Sequence, residues 1–228
     1  MNARHARVPL VAFGLAGVVD LVSLALGHDT GHTLAKPLLM PLLAVCAHLY
    51  GGPPLLVGAL LFGWGGDVLL LLDAEPAFLA GMASFAAGHV CYLLLFRRSL
   101  AKGSPRARGS RLTAAVYVLA LVATVALLWP GLPADLRVPV AGYSLLLTAM
   151  AYGASRLGPV AGAGGALFLL SDTLIATGVA DWPQPPRPDL WIMLTYLAAQ
   201  CLLTAGVLAV RPPPQARPLT SGSAQALP

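Results

Sequence analysis

The sequence predicts an all-α, polytopic membrane protein with eight transmembrane helices. Three observations lead to this fold class. Of the 228 residues, 57% are hydrophobic and only 10% are charged, whereas a soluble domain carries about 25% charged residues. The mean hydropathy is +0.77, and the apolar residues fall into eight runs separated by turn residues. Lipid is therefore the expected solvent for most of the chain.

Eight apolar runs define the predicted spans. They cover residues 8–27, 36–50, 54–72, 77–96, 112–130, 138–156, 159–179 and 189–210. Seven are close to the ~20 residues that a crossing needs. The run 36–50 is short, so its helix is expected to lie in a thin region or to extend into its flanks. Gly and Pro mark the breaks, as in GGPP at 51–54.

Residues 1–210 are predicted to form one eight-helix domain. The tail, residues 211–228, is rich in Pro, Ser and Gln and is expected to be flexible. The first run resembles a signal peptide because Arg4 and Arg7 precede it. However, Asp20 interrupts the run and the cleavage signal is weak, so we expect a retained helix.

The cysteines are expected to be small buried apolar residues. They are Cys46, Cys91 and Cys201, all within apolar runs. Since no C-x-x-C pair is present, the sequence does not predict a disulfide framework.

Basic residues predict the orientation. With the N-terminus inside, inner segments hold eleven of the fourteen Lys and Arg residues, leaving Lys36, Arg137 and Arg187 outside. The positive-inside rule then places both termini in the cytoplasm. The basic loop RRSLAKGSPRARGSR is explained as a topology determinant near anionic lipid, so no nucleic-acid partner is expected. Richness in Ala, Gly, Pro and Arg suggests a bacterial cytoplasmic membrane.

Three acidic residues interrupt the apolar runs. Asp67 and Asp172 each lie 13 residues into their runs, counted from residues 54 and 159, and Asp20 is at a similar depth. A charge there costs about 2–3 kcal/mol on insertion scales, so buried acids usually serve function. A helix-bridging pair is the structural alternative for Asp67 and Asp172, and hydration near the outer end is the preferred reading of Asp20.

The surroundings of Asp67 and Asp172 are alike. Both runs contain Gly-Ala-Leu, a Phe and a small residue directly before Asp, which suggests a 4+4 parallel repeat. The neighbouring glycines allow close helix approach. They are Gly63, Gly65, Gly66, Gly162, Gly164 and Gly165. Close approach is expected to bring the two carboxyl groups into one shared pocket.

Further polar residues are candidates for the same pocket. His89 and Tyr92 share one helix face, as do Tyr196 and Gln200. Lys36 opens the second run, where its ammonium group can receive a phosphate or snorkel to headgroups. The alternatives are a core histidine for His89, an aromatic-belt residue for Tyr196 and an interfacial anchor for Lys36.

Five segments resemble the YhhN family of membrane-embedded lysoplasmalogenases. They are KPLLMPLLA at 36–44, GDVLLLL at 66–72, GHVCYLLLF at 88–96, SDTLIA at 171–176 and TYLAAQCLL at 195–203. The resemblance implies eight helices and hydrolysis of the vinyl ether bond of lysoplasmalogens, a class of lysophospholipid. The products are a fatty aldehyde and glycerophosphocholine or glycerophosphoethanolamine. The family motifs carry over to Lys36, Asp67, His89, Tyr92, Ser171, Asp172, Tyr196 and Gln200.

Two buried carboxyl groups suit this chemistry. Protonation of the β-carbon of a vinyl ether leaves an oxocarbenium ion, to which water adds. A protonated carboxyl can act as the general acid, and an ionised one can stabilise the cation and activate water. The sequence does not assign these roles between Asp67 and Asp172. His89, Tyr92 and Ser171 are expected to orient them, and Lys36 is the candidate phosphate ligand.

Other functions remain open at this point. Asp67, Asp172 and His89 could form a metal site, but no metal-binding spacing supports it, so neither a metal nor a cofactor is predicted. Intramembrane acids also occur in proton-coupled transporters. A non-catalytic lipid-binding protein is a third class. The sequence gives no oligomeric state.

Overall fold

The computed structural model of this chain describes residues 3–72, 74–101 and 111–210. Every regular element in those ranges is an α-helix, which confirms the predicted fold class. The helices are α1 (Ala3–Leu26), α2 (Asp29–Leu49), α3 (Pro54–Leu69), α4 (Glu75–Ala101), α5 (Arg111–Leu128), α6 (Arg137–Ser155), α7 (Pro159–Val179) and α8 (Pro188–Ala209). The tail predicted to be flexible, residues 211–228, lies outside the described ranges.

The helix lengths settle one prediction. Seven of the eight helices are long and apolar enough to cross a membrane. Only the apolar run 36–50 is short: of the two outcomes expected for it, α2 extends into its flank, with 21 residues from Asp29, seven residues before the run. Hydropathy does not detect the polar first turns of α2. There the negative charge of Asp29 interacts favourably with the positive end of the helix dipole, and His32 bonds to Asp20 of α1.

The short helix is instead α3, with 16 residues. At about 1.5 Å per residue it spans roughly 24 Å, less than the ~30 Å hydrocarbon core. The end of the predicted run, Leu70 to Leu72, forms a hydrogen-bonded turn into α4, with Leu72 N donating to Leu69 O at 3.1 Å. Asp67 consequently lies in the last turn of α3.

Proline and glycine set the helix boundaries. Pro54, Pro159 and Pro188 occupy the first turns of α3, α7 and α8, where a missing N–H costs nothing. Gly27 and Gly51 follow α1 and α2 with φ of 75° and 76°, a conformation that glycine adopts without strain. Short connections of this kind make successive helices antiparallel. We call the end at which α1, α3, α5 and α7 finish the site end of the bundle.

The bundle has an apolar surface and buries several polar side chains inside. Leu34 and Leu119 are each 69% exposed, whereas Asp20, His89 and Gln200 are buried. Water does not tolerate so many exposed large apolar side chains, but lipid does. The protein is therefore an integral-membrane protein.

The helices differ in how deeply they are buried. Half of the most apolar stretch of α8 is buried, against 6% of that of α5. Helix α8 packs most extensively on α7 and also contacts α1, α2 and α3, whereas α5 packs on α6 and α7. The centre of the core contains Leu39, Met40, Leu60, Met150 and Leu203. The three cysteines are free thiols, of which Cys46 is buried and the other two are half-buried.

Glycine allows α7 to approach its neighbours closely. A Cβ added at Gly164 would stand 2.8 Å from the backbone N of Leu203 in α8. One added at Gly165 would stand 2.9 Å from the Cα of Ala151 in α6. The close approach expected from these glycines is confirmed. The 4+4 repeat stays a prediction.

Candidate active site

Asp67 is the end of a buried hydrogen-bonded chain that joins three helices. The hydroxyl of Tyr196 in α8 donates to Asp67 Oδ2 at 2.9 Å. Gln200 Nε2 donates to the Tyr196 hydroxyl at 3.2 Å, and the Tyr92 hydroxyl in α4 donates to Gln200 Oε1 at 2.7 Å. All four side chains are buried. This chain fixes one carboxylate oxygen of Asp67 through protein groups alone.

A glycine one turn earlier makes room for this chain. A Cβ added at Gly63 would lie 3.0 Å from the Tyr196 hydroxyl and 3.2 Å from Gln200 Nε2. Both distances are shorter than ordinary van der Waals contact. The small residue at position 63 therefore has a polar partner across the helix interface, and α3 and α8 can meet at Asp67.

Asp172 has a separate set of partners on α6 and α4. The Tyr143 hydroxyl donates to Asp172 Oδ2 in a short hydrogen bond. His89 Nε2 lies 3.0 Å from the same hydroxyl. Since that hydroxyl already donates to Asp172, His89 Nε2 carries the hydrogen in this arrangement and Nδ1 is the acceptor. His89 Nδ1 is buried and has no hydrogen-bond partner among the described residues.

Two phenylalanines stand between the two sets of polar groups. The ring of Phe168 contacts His89 at a centroid distance of 4.8 Å and Tyr196 at 5.4 Å, both edge to face. Phe85 lies 5.9 Å from Tyr196 in the same geometry. The aromatic rings hold His89 and Tyr196 in place and exclude water from the space between them.

No hydrogen bond joins the two carboxyl groups in the described residues, and each is bonded to its own tyrosine. Asp67 belongs to α3 and Asp172 to α7. The shared pocket that the sequence predicted for them stays a prediction.

The charged neighbours of Asp67 come from α1 and α2. Lys36, His32 and Asp20 all interact with its carboxyl electrostatically. His32 Nδ1 lies 2.8 Å from Asp20 Oδ1. The expectation that Asp20 is hydrated was wrong, since Asp20 is fully buried. Its predicted depth near the helix end ignored α2, whose first turns cover it.

A cavity opens beside Asp172. It encloses about 720 Å³, part of which is open to the outside, and lies between α4, α5, α6 and α7. Its wall is largely apolar, and both Asp172 and Tyr143 belong to it. Asp67 does not line it, whereas Phe85 does. The two carboxyl groups thus differ in access.

The predicted site residues fall into two networks and two outliers. One network contains Asp67, Tyr92, Tyr196 and Gln200, and the other contains Asp172 and His89. Lys36 is half-buried in the second turn of α2 and does not open the helix as predicted, because α2 starts earlier.

Ser171 and Tyr92 have partners other than those expected. The Ser171 hydroxyl donates to the carbonyl of Ile192 at 3.1 Å, which joins α7 to α8 without touching a carboxyl group. Tyr92 bonds to Gln200, and through Gln200 and Tyr196 it is joined to Asp67 and not to Asp172. The residue that bonds to Asp172 is Tyr143, which the sequence analysis missed. Its signal was a tyrosine six residues into the apolar helix α6, in the stretch AGYSLLL.

A metal site needs several ligand side chains close together. Among residues 3–72, 74–101 and 111–210, no group of three or more His, Cys, Asp or Glu side chains is arranged to hold a metal ion. The three residues of the alternative metal site, Asp67, Asp172 and His89, are divided between the two networks.

A helical membrane bundle with a buried carboxyl group and a half-buried one at an apolar cavity is a membrane protein with an intramembrane polar site. Residues 31–207 match the YhhN family. The chain belongs to that family, as the sequence resemblance implied.

Three curated relatives carry the name lysoplasmalogenase TMEM86B. The human protein is 36% identical over 175 residues, which cover 74% of this chain and 73% of the relative. The pig protein is 37% identical over 152 residues, covering 67% and 62%. The rat protein is 35% identical over 175 residues, covering 76% and 70%. No solved structure matches this chain significantly.

Proposed function

We propose that this protein is an integral-membrane hydrolase that cleaves the vinyl ether bond of lysoplasmalogens. The products are a fatty aldehyde and glycerophosphocholine or glycerophosphoethanolamine. Family membership and the names of the curated relatives support the substrate class. One structural observation carries the chemistry: Asp67 and Asp172 lie on two helices of the bundle and are each held by a tyrosine hydroxyl.

The catalytic groups of the proposed reaction are the two carboxyls. The proposed reaction needs one of them protonated and the other ionised. The protonated carboxyl supplies the proton that the β-carbon takes up. The ionised carboxyl lowers the energy of the oxocarbenium ion without reorganising, because its position is already fixed by hydrogen bonds.

Lys36 is proposed to receive the substrate phosphate. It is half-buried towards the site end of α2, and in the described residues it makes no ion pair within 4 Å. An ammonium group placed between the headgroup region and Asp67 can serve as a phosphate ligand and as a counter-ion for the carboxylate. These two roles are separable by kinetics.

The orientation is part of the proposal. Both termini are proposed to face the cytoplasm of a bacterial cell. Arg97, Arg98, Arg111 and Arg156 lie at the end of the bundle opposite the site end, which supports this orientation by the positive-inside rule. The test is a reporter enzyme that works only outside the cytoplasm, fused after residue 228. Activity of this reporter would contradict the proposed orientation.

The function is tested with protein purified in detergent and a panel of lysolipids. Aldehyde is expected from lysolipids with a vinyl ether chain, and no fatty acid from the matching ester lipids. Because detergent micelles sustain no gradient, turnover there also separates a hydrolase from a proton-coupled transporter. Binding of lysolipid without any aldehyde from the whole panel would favour a non-catalytic lipid-binding protein.

A further inference from the structure

The cavity gives the two carboxyl groups unequal access to a ligand. We infer that the hydrocarbon chain of the lysolipid occupies the cavity between α4, α5, α6 and α7, that Asp172 is the carboxyl that protonates the vinyl ether, and that Tyr143 is its positioning residue. This inference rests on the proposed function and divides its two carboxyls into distinct roles.

The wall of the cavity suits a hydrocarbon chain. Leucine, phenylalanine, valine and methionine side chains dominate it. Thr173 belongs to the wall, but its hydroxyl donates to the carbonyl of Leu169 at 2.7 Å within α7. Its methyl group then remains for the cavity. Asp172 is the one carboxyl of the wall, with Tyr143 beside it.

Asp67 is shielded from the same ligand. Its side chain is 3% exposed. Phe85, which lines the cavity, packs its ring directly against Gly66, the residue before Asp67. A hydrocarbon chain in the cavity can therefore contact Asp172, whereas Phe85 separates that hydrocarbon chain from Asp67.

The two carboxyl groups also have different neighbours. The groups that face Asp67 are Tyr196, Lys36, Asp20 and His32. Those that face Asp172 are Tyr143 and, through that tyrosine, His89. Asp172 also lines the cavity that Asp67 does not line, and this access assigns the donated proton to Asp172.

The proposed step is balanced in atoms and charge. The Asp172 O–H bond breaks, and the π electrons of the vinyl ether form a new bond between the β-carbon and that proton. A lone pair of the ether oxygen then forms the oxocarbenium ion. Water adds to the α-carbon and gives its proton to the Asp172 carboxylate, which restores the acid. The resulting hemiacetal breaks into aldehyde and alcohol.

Tyr143 determines which oxygen of Asp172 reacts. The tyrosine hydroxyl donates to Oδ2 and is itself held by His89. Oδ1 has no hydrogen bond in the described part of the chain, so it can carry the proton towards the cavity. Tyr143 does not have to touch the reacting carbon, and its effect is to fix the carboxyl plane.

The position of the lysolipid's hydrocarbon chain is tested by photolabelling. The probe is a lysophosphatidylethanolamine analogue with a diazirine in its hydrocarbon chain, and peptides are identified by mass spectrometry. Labels on α5 and α6 residues of the cavity wall, such as Leu121 and Leu147, should disappear with excess unlabelled lysolipid. Labels confined to the outward-facing residues Val118 and Leu119 would overturn the assignment of the chain.

A matched pair of variants tests the cavity through turnover. Leu121 lines the cavity, whereas the adjacent Val122 is 58% exposed and points away from it. Leu121→Trp should raise the KM for long-chain substrate relative to short-chain substrate by about 10-fold, the scale of one or two lost methylene contacts. Val122→Trp should leave this ratio unchanged. Equal ratios in both variants, with both folded by size-exclusion chromatography, would contradict the inference.

The pH profile tests the division of roles. Wild-type kcat/KM should fall at low pH, where the ionised carboxyl is lost, and at high pH, where the acid is lost. Asp67→Asn should lose the low-pH limb and keep the high-pH limb. If Asp172→Asn shows that behaviour instead, the roles are reversed.

Failure of the inference and failure of the proposed function have different signatures. An active wild type with no competable label in the cavity overturns the inference and leaves the function standing. A wild type that releases no aldehyde from any lysolipid overturns the function and the proton-donor assignment with it. In that case, a photolabel that excess unlabelled lysolipid removes would show only that the cavity binds a hydrocarbon chain.

Discussion

Asp67 and Asp172 have similar sequence surroundings and different physical ones. Asp67 is sealed among α3, α4 and α8, with a lysine and a histidine as electrostatic neighbours. Asp172 is half-buried, borders an apolar cavity and is held by a tyrosine that bonds to a histidine. The difference comes from the helices that pack beside each acid, because α8 closes over Asp67 and the loosely packed α5 leaves space near Asp172.

This contrast indicates how one residue type can take two roles in one reaction. A sealed carboxyl that no ligand reaches is suited to act at a distance. A carboxyl at a cavity wall is suited to touch substrate and exchange a proton. Variants that remove one carboxyl group, or one of the side chains beside it, should therefore change the kinetics in different ways.

The largest effect is expected at Asp172. Asp172→Asn should lower kcat by about 10⁴, the upper end of the contribution of an acid–base group, because no other carboxyl lines the cavity. Lysolipid binding, measured by equilibrium dialysis in detergent, should persist. Asp135→Asn, at an exposed loop residue, is the matched control. Retained aldehyde release from Asp172→Asn would remove it as the proton donor.

Asp67→Asn should have a smaller effect. The loss of a fixed charge near the oxocarbenium ion should lower kcat by about 10², on the scale of a lost electrostatic stabiliser. Single-turnover measurements of aldehyde release give this value directly. A loss equal to or greater than that of Asp172→Asn would erase the proposed contrast.

Tyr143→Phe should lower kcat by roughly 20-fold, the scale of a lost hydrogen bond to a charged or reacting group. The KM should change little, and the high-pH limb of kcat/KM should shift, which a merely structural residue would not cause. Tyr152→Phe is the control, since Tyr152 lies on the same helix and packs on Tyr117. Identical pH profiles for the two variants would exclude the positioning role.

Lys36→Gln distinguishes a phosphate ligand from a counter-ion. As a phosphate ligand, Lys36 should affect KM, by about 10-fold for a lost charge-assisted hydrogen bond. As a counter-ion for Asp67, it should affect kcat and the low-pH limb. A vinyl ether of glycerol without phosphate provides the comparison, because only the first role depends on the phosphate.

The smallest functional effect is expected from the glycines, where stability changes first. Gly164→Ala should lower the free energy of unfolding by about 1–3 kcal/mol, because its Cβ would meet the backbone of α8. Gly142→Ala is the same substitution at a position where the added Cβ would have no neighbouring atom within 4 Å. It should raise stability by roughly 0.5–1 kcal/mol. Thermal unfolding in detergent measures both, and equal shifts would contradict the close packing of α7 on α8.

The sequence predicts the helices better than their contacts. Apolar runs and Gly or Pro breaks identify all eight helices of the described residues, because lipid imposes a local requirement on each span. The first residue of α2 was not predicted, because hydropathy ignores polar turns that are satisfied by a neighbour. Asp20 was misjudged for the same reason, as His32 pairs with it across the α1–α2 turn.

The site was predictable in its acids and less so in its partners. A carboxyl within an apolar run is conspicuous from sequence alone, so Asp67 and Asp172 were found. Their tyrosine partners lie 129 and 29 residues away along the chain. Which tyrosine meets which acid depends on helix packing and rotation, and Tyr143 resembles any other interfacial tyrosine before those are known.

The account requires that a protein carboxyl delivers a solvent-exchangeable proton to carbon. The most direct test is turnover of a lysoplasmalogen in D2O, with the aldehyde analysed by mass spectrometry and corrected for exchange of authentic aldehyde. The wild type should place one deuterium on the carbon next to the aldehyde group per turnover, and Asp172→Asn should form no labelled aldehyde above background. Aldehyde released by the wild type without deuterium would contradict protonation of the vinyl ether.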